Sequence, residues 1–158
     1  MKRLIILIAC CLYGSTLLAQ TSTKRDTAVG VFAGRIASTD ATGDRVQMAG
    51  VGAERWVADK GSIRLDLFRS REDDPLTIVT FDGSFHVFKW LAVPFGIGWY
   101  DQQNTELSSV IGINAGAGLD YWFHKFGFQL QGNYHFLLQG QLPQRKFVST
   151  QAGVRFRF

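Results

Sequence analysis

Beyond residue 20 the chain contains no cysteine, because its two, Cys10 and Cys11, both lie near the start. A mature protein without them has no disulfide framework, no thiolate metal site and no cysteine nucleophile. No stretch past residue 20 approaches eighteen apolar residues, so no transmembrane helix is expected. Helical periodicity is also scarce, which points away from an α-helical fold. What remains is one folded unit in 158 residues, 46% of them hydrophobic and 13% aromatic.

The first twenty residues stand apart. Lys2 and Arg3 form a basic start, Leu4 to Leu18 is mostly apolar, and Leu17-Leu18-Ala19 looks like a cleavage site. This is the layout of a secretory signal peptide, expected over residues 1–19. A membrane anchor is the competing reading, but Tyr13 to Thr16 interrupt an apolar stretch already short for a bilayer. Leu7-Ile8-Ala9-Cys10 resembles a lipoprotein box, with too short an apolar run before it. Taking Lys2 and Arg3 from the 17 basic residues leaves 15 against 13 acidic ones, a net of +2. Nucleic acid is therefore not expected as a partner.

From residue 20 onward the recurring pattern is alternation, the two-residue period of a strand. Phe126, Phe128, Leu130, Gly132, Tyr134 and Phe136 share one face, opposed to Gly127, Gln129, Gln131, Asn133 and His135. Ile111 to Phe123 repeats this, with Asn114 and Asp120 on the polar side. Thr150, Ala152, Val154, Phe156 and Phe158 oppose Gln151, Gly153, Arg155 and Arg157. Three more strands surround Ile63 to Phe68, Val79 to Val87 and Pro94 to Tyr100. Two further ones cover Ala28 to Ile36 and about Val46 to Val57. Their facing is ambiguous, because Phe32 and Ile36 argue for one register while Val29 and Val31 argue for the other.

Eight strands result, with breaks at Ser38 to Asp44, Ala58 to Gly61, Glu72 to Pro75, Lys89 to Leu91, Gln102 to Thr105, His124 to Lys125 and Gln139 to Gln144. An even number of strands, several reaching the ~9–11 residues that cross a bilayer, predicts an all-β, eight-stranded, antiparallel up-and-down transmembrane barrel over residues 20–158. The apolar face carries too much aromatic volume to fill so narrow an interior, so it is expected to face lipid and the polar face the lumen. A soluble β-sandwich, with the polar faces solvated, is the structural rival. Glu54, Arg64, Asp66, Asp82, Asp120, Arg155 and Arg157 then form a lumen charge network that must pair internally. A short, polar-filled, plugged lumen is expected rather than a pore.

Chemistry is sparse. Some lipid-modifying barrels use a His-x-Ser pair, in which the imidazole activates the hydroxyl. His86, His124 and His135 all lack a serine at that spacing, so a triad could only be assembled across strands. His86 and His135 are expected as hydrogen-bonded lumen residues rather than metal ligands. Gly112, Gly116 and Gly118 lie within a strand, so they are not a phosphate loop. No catalytic residue, cofactor or metal is assigned, and the chain is read as not an enzyme.

The stretches Val93 to Tyr100, Asn114 to Tyr121 and Ala152 to Phe158 resemble the small outer-membrane barrel superfamily that includes opacity-type proteins, over nearly all of residues 27–158. That resemblance implies a bacterial outer-membrane location, with outer-membrane lipid and the barrel-assembly machinery as partners. The ending resembles the assembly signal, carried here by Phe156 and Phe158. Gly52-Ala53-Glu54, Pro75 to Phe85 with Asp82, Leu130-Gln131-Gly132 and Ala152 to Phe158 are similar to the TraO family of conjugative-transposon barrels. This implies other envelope or transfer-apparatus proteins as partners. The leading expectation is a structural, envelope or surface-interaction role.

Overall fold

The computed structural model describes residues 26–39, 45–72, 75–102, 109–138 and 146–158. The expected signal peptide, with Lys2, Arg3, Cys10 and Cys11, lies outside the described residues, as do most of the connections expected at 38–44 and 102–105 and all of 139–144. Eight strands follow one another: β1 (Thr27–Ser38), β2 (Val46–Ala58), β3 (Gly61–Ser70), β4 (Leu76–Phe88), β5 (Leu91–Gln102), β6 (Ser109–Phe123), β7 (Phe126–Leu137) and β8 (Lys146–Arg157). Each pairs antiparallel with the next, and β8 pairs with β1 to close the barrel. Closure leaves no sheet edge, so every ladder hydrogen bond can be made within the protein, as lipid demands.

The registers fix the shape. Following partners from Ala28 through Glu54, Arg64, Asp82, Gly96, Asn114, His135 and Phe147 returns to β1 at Ser38, ten residues on. A shear of ten on eight strands corresponds to a strand tilt of about 40°. Such a barrel has room for side chains inside and little else.

The two ends differ. Asp59-Lys60, Lys89-Trp90 and His124-Lys125 are two-residue turns at the end that also holds both termini of the barrel, called the turn end below. His124 takes a left-handed φ of 55°, the backbone reversal that a two-residue hairpin needs. Register shifts at Trp56/Ala58 and His86/Phe88 precede the other two turns. The segments joining β1 to β2, β3 to β4, β5 to β6 and β7 to β8 are longer and define the loop end.

Alternation is resolved in favour of apolar outside and polar inside over most of the wall. Ile111, Leu119, Tyr121, Phe123, Phe126 and Phe128 face outward and are exposed, while Asn114, Asp120, Gln129 and Gln131 are buried. In β1 the ambiguity resolves with Val29 and Val31 outward and Phe32 and Ile36 inward. In β2, Val51 faces out while Met48 and Glu54 face in.

Candidate functional site

The lumen is the candidate site, and it is stratified along its axis. At the turn end, three inward positions from three strands meet. The Arg157 guanidinium lies 4.0 Å from the Trp122 ring centre and 4.7 Å from that of Trp56. The two indoles touch edge to face at 5.7 Å. Arg157 also reaches Asp26 at 3.5 Å. A guanidinium held over ring faces keeps its charge while covering the mouth with apolar surface.

The next layer holds charge in register. Glu54 on β2 and Asp120 on β6 are bridged by Arg155 on β8, which is ion-paired to Glu54 and lies 2.8 Å from Asp120. All three are at most 3% exposed, so each charge depends on the others for solvation. Arg64 pairs with Asp66 at 2.6 Å, the two sharing the inward face of β3 two residues apart. It also donates to Gln131 across the lumen at 2.5 Å. Gln129 donates to Gln131 and Gln131 to Asn133, each at 2.9 Å, so the amides of β7 form a ladder up the wall. Asp82 accepts from Asn114 at 2.8 Å and from Thr80 at 3.2 Å.

The seven charged residues expected in the lumen are thus all inward, but they sort into separate groups. Glu54, Asp120 and Arg155 form one; Arg64 and Asp66 a second; Asp82 is bound by neutral groups; and Arg157 belongs to the aromatic mouth. Phe156 and Phe158 lie outside the lumen, exposed at the turn end, with Phe156 packed edge to face on Phe126 at 5.4 Å.

A serine and a histidine do come together across strands. Ser62 on β3 lies 3.4 Å from His86 Nε2 on β4, and His86 Nδ1 lies 4.0 Å from Asp120. The hydroxyl, however, donates to Glu54 at 2.5 Å, which ties its proton to a carboxylate already held by Arg155. Ser62 is 3% exposed inside the charged layer. A nucleophile needs its proton directed to the base and its oxygen open to substrate. Ser62 has neither, and the cluster is wired as part of the plug.

Toward the loop end the lining changes character. Phe32, Ile36, Met48, Phe68, Ile78, Tyr100, Val110, Leu137 and Phe147 form one buried apolar cluster inside the barrel. Phe32 and Phe68 pack at 6.1 Å. Glycines opposite the rings make the room: a side chain at Gly50 would strike the Phe68 ring, and one at Gly98 or Gly112 would strike Tyr100. Tyr100 joins the two zones, its hydroxyl 2.7 Å from His135 Nδ1, while His135 Nε2 meets Ser149 at 2.8 Å. The expected polar filling therefore covers the turn-side and middle lumen, and an apolar plug completes it.

Sequence reasoning missed Trp56 and Trp122, although both continue the inward alternation past Glu54 and Asp120. It also missed the apolar plug, because near the loop end both faces of a strand are apolar, as in Leu67-Phe68 and Ile78-Val79.

No protein-family model matches this sequence, and no curated protein matches it either. Solved structures do. The N-terminal barrel domain of Pseudomonas aeruginosa OprF aligns with a TM-score of 0.64 at 17% identity, over 83% of this chain and 97% of that one. Ail, the attachment invasion locus protein of Yersinia pestis, solved with the heparin analogue sucrose octasulfate, aligns at 0.60 and 14%, over 86% and 100%. Neisserial surface protein A aligns at 0.60 and 12%, over 85% and 97%. With its closed eight-stranded sheet, apolar exterior and filled interior, this chain has the fold of the small outer-membrane β-barrels.

Proposed function

We propose that this protein is a non-enzymatic, non-conducting barrel of a bacterial outer membrane, acting in the envelope through its outer and loop-end surfaces rather than through its lumen. The observation that carries this reading is the occupation of the interior by side chains at successive levels, the Arg157–Trp122 mouth, the Glu54–Arg155–Asp120 layer and the Phe68–Tyr100 plug. A path for ions or sugars would need a hydrated column that these side chains occupy. Refolded protein in vesicles is expected to migrate as a heat-modifiable band and to leave the vesicles impermeable to small sugars. Stable single-channel conductance in planar bilayers would overturn it.

Two narrower readings are supported by the sequence. The outward pair Phe156 and Phe158, at the end of β8, suits recognition by the barrel-assembly machinery. Phe158→Ala is expected to lower insertion in cells while leaving refolding into detergent unchanged. The motive for reading it as part of a conjugative transfer apparatus is the set of short TraO-like stretches, Gly52 to Glu54, Pro75 to Phe85, Leu130 to Gly132 and Ala152 to Phe158. Deleting the gene should then lower conjugation frequency.

A further inference from the structure

The lipid-facing belt is uneven around the barrel. On β6 it runs unbroken from Ile111 to Phe123, seven outward residues with no charge among them. On β1 only Val29, Val31 and Ala33 intervene before Arg35, and on β3 only Ile63, Leu65 and Leu67 before Arg69. At ~2.5 Å of height per residue for strands tilted near 40°, the apolar span is roughly 30 Å on β6 and roughly 10 Å on β1 and β3.

The charges that cut the belt short are clustered. Arg35 on β1 lies opposite Gln47 on β2, and Ala49, two residues on, lies opposite Arg69 on β3. Arg71 follows on the same face, its backbone N–H bonded to the carbonyl of Gln47. All three arginine side chains are exposed. Among the described residues none is ion-paired; Glu72 adjoins Arg71, and Asp101 stands two strands from Arg69, beyond Thr77. Below them the wall recedes. Val29, Val31, Val51 and Ala53 floor an outer groove of about 750 Å³, with Leu65 and Leu67 along one side and Phe126 and Phe156 along the other. The groove opens toward lipid, with the arginines on its loop-end side.

We infer that this face is a binding site for a phosphate-bearing lipid of the loop-end leaflet, its phosphate held by Arg35, Arg69 and Arg71 and an acyl chain lying in the groove. Guanidinium groups match phosphate oxygens in fork geometry and are enriched where phosphate is recognised. An unpaired arginine facing lipid costs more the deeper it sits, and an anionic headgroup at its depth offsets that cost. The floor supplies what a bare basic patch lacks, a channel of apolar surface leading away from the charges. The inference rests on the proposed membrane location.

The test is native mass spectrometry of the whole barrel, released from phosphatidylcholine nanodiscs doped with lipid A as the diphosphorylated probe. Wild type is expected to retain one lipid A molecule. At roughly fivefold per arginine, the combined variant R35A/R69A/R71A should weaken retention roughly 100-fold. The turn-end control K89A/K125A should leave it unchanged. Ala53→Trp, which fills the groove and keeps the arginines, should also lose the lipid. Equal retention by wild type and the arginine variant, or equal loss in the turn-end control, overturns the site. So does displacement of the lipid by millimolar inorganic phosphate alone, which would mark the arginines as a plain anion patch. A wild-type dimer that excludes lipid from this face overturns it as well. Heat-modifiable migration is read on every sample. If wild type fails to insert, the location has failed; if all variants insert, the binding result speaks for the site alone.

Discussion

Toward its turn end the lumen is closed by buried ions that pair with one another, whereas toward its loop end it is closed by side chains that only exclude water. The Glu54–Arg155–Asp120 layer hinges on one residue, since removing Arg155 takes from two buried carboxylates the guanidinium they share. The Phe32–Phe68–Tyr100 cluster is graded, since its members can be trimmed or exchanged at a cost set by volume. One narrow space thus carries two kinds of fragility.

The sharpest way to break this contrast is at Arg155. Arg155→Leu takes from the buried Glu54 and Asp120 the guanidinium they share, and a loss of about 3–5 kcal/mol is expected, read from the urea midpoint of protein refolded in vesicles. The combined neutral variant E54Q/D120N/R155M should recover at least half of that loss. If it is as unstable as the single variant, packing rather than charge dominates the turn end. At the other end, Phe68→Ala should cost about 3 kcal/mol, while Leu137→Met should cost less than ~1.5 kcal/mol. A cost below ~1 kcal/mol for Phe68→Ala would show that the loop-end cluster is not a packed plug.

Smaller effects sharpen the picture. Trp122→Ala removes the ring beneath both Arg155 and Arg157 and is expected to cost about 1–2 kcal/mol, with a change in Trp56 fluorescence. An unchanged midpoint would mean that Arg157 is held by Asp26 and Trp56 alone. Least of all, His124→Gly should stabilise by up to ~1 kcal/mol, because glycine takes the left-handed φ without a Cβ clash.

These ends were not equally legible. Strands β3 to β8, the turns at Lys89 and His124 and the outward aromatic face follow from alternation, because lipid and a polar lumen impose opposite demands on successive residues. The inward placement of Asp120 and Arg155 follows from the same rule, whereas that of Glu54 does not, because it lies on a strand whose facing alternation leaves open. Nor does the pairing of the three, since it depends on a shear that brings three distant strands to one depth. The loop-end plug was hidden for a different reason. Where the lumen itself is apolar, alternation vanishes, and the conflict between Phe32 and Val31 in β1 was the trace it left in the sequence. Arg35 and Arg69 occupy outward positions that alternation assigns to lipid, and only the closed barrel sets them beside each other.

Seven of the eight strand pairings join neighbours in sequence, and the eighth does not: Ala28 lies opposite Arg157 and Ser38 opposite Phe147. The chain can therefore zip up hairpin by hairpin with little loop entropy to overcome, but the last pairing must bring the two extremes of the domain together. The topological difficulty of the fold is concentrated in that one seam. Closure of β1 on β8 is then expected to be the slow event of assembly, while in the finished barrel that seam is paired over as long a stretch as the hairpins beside it.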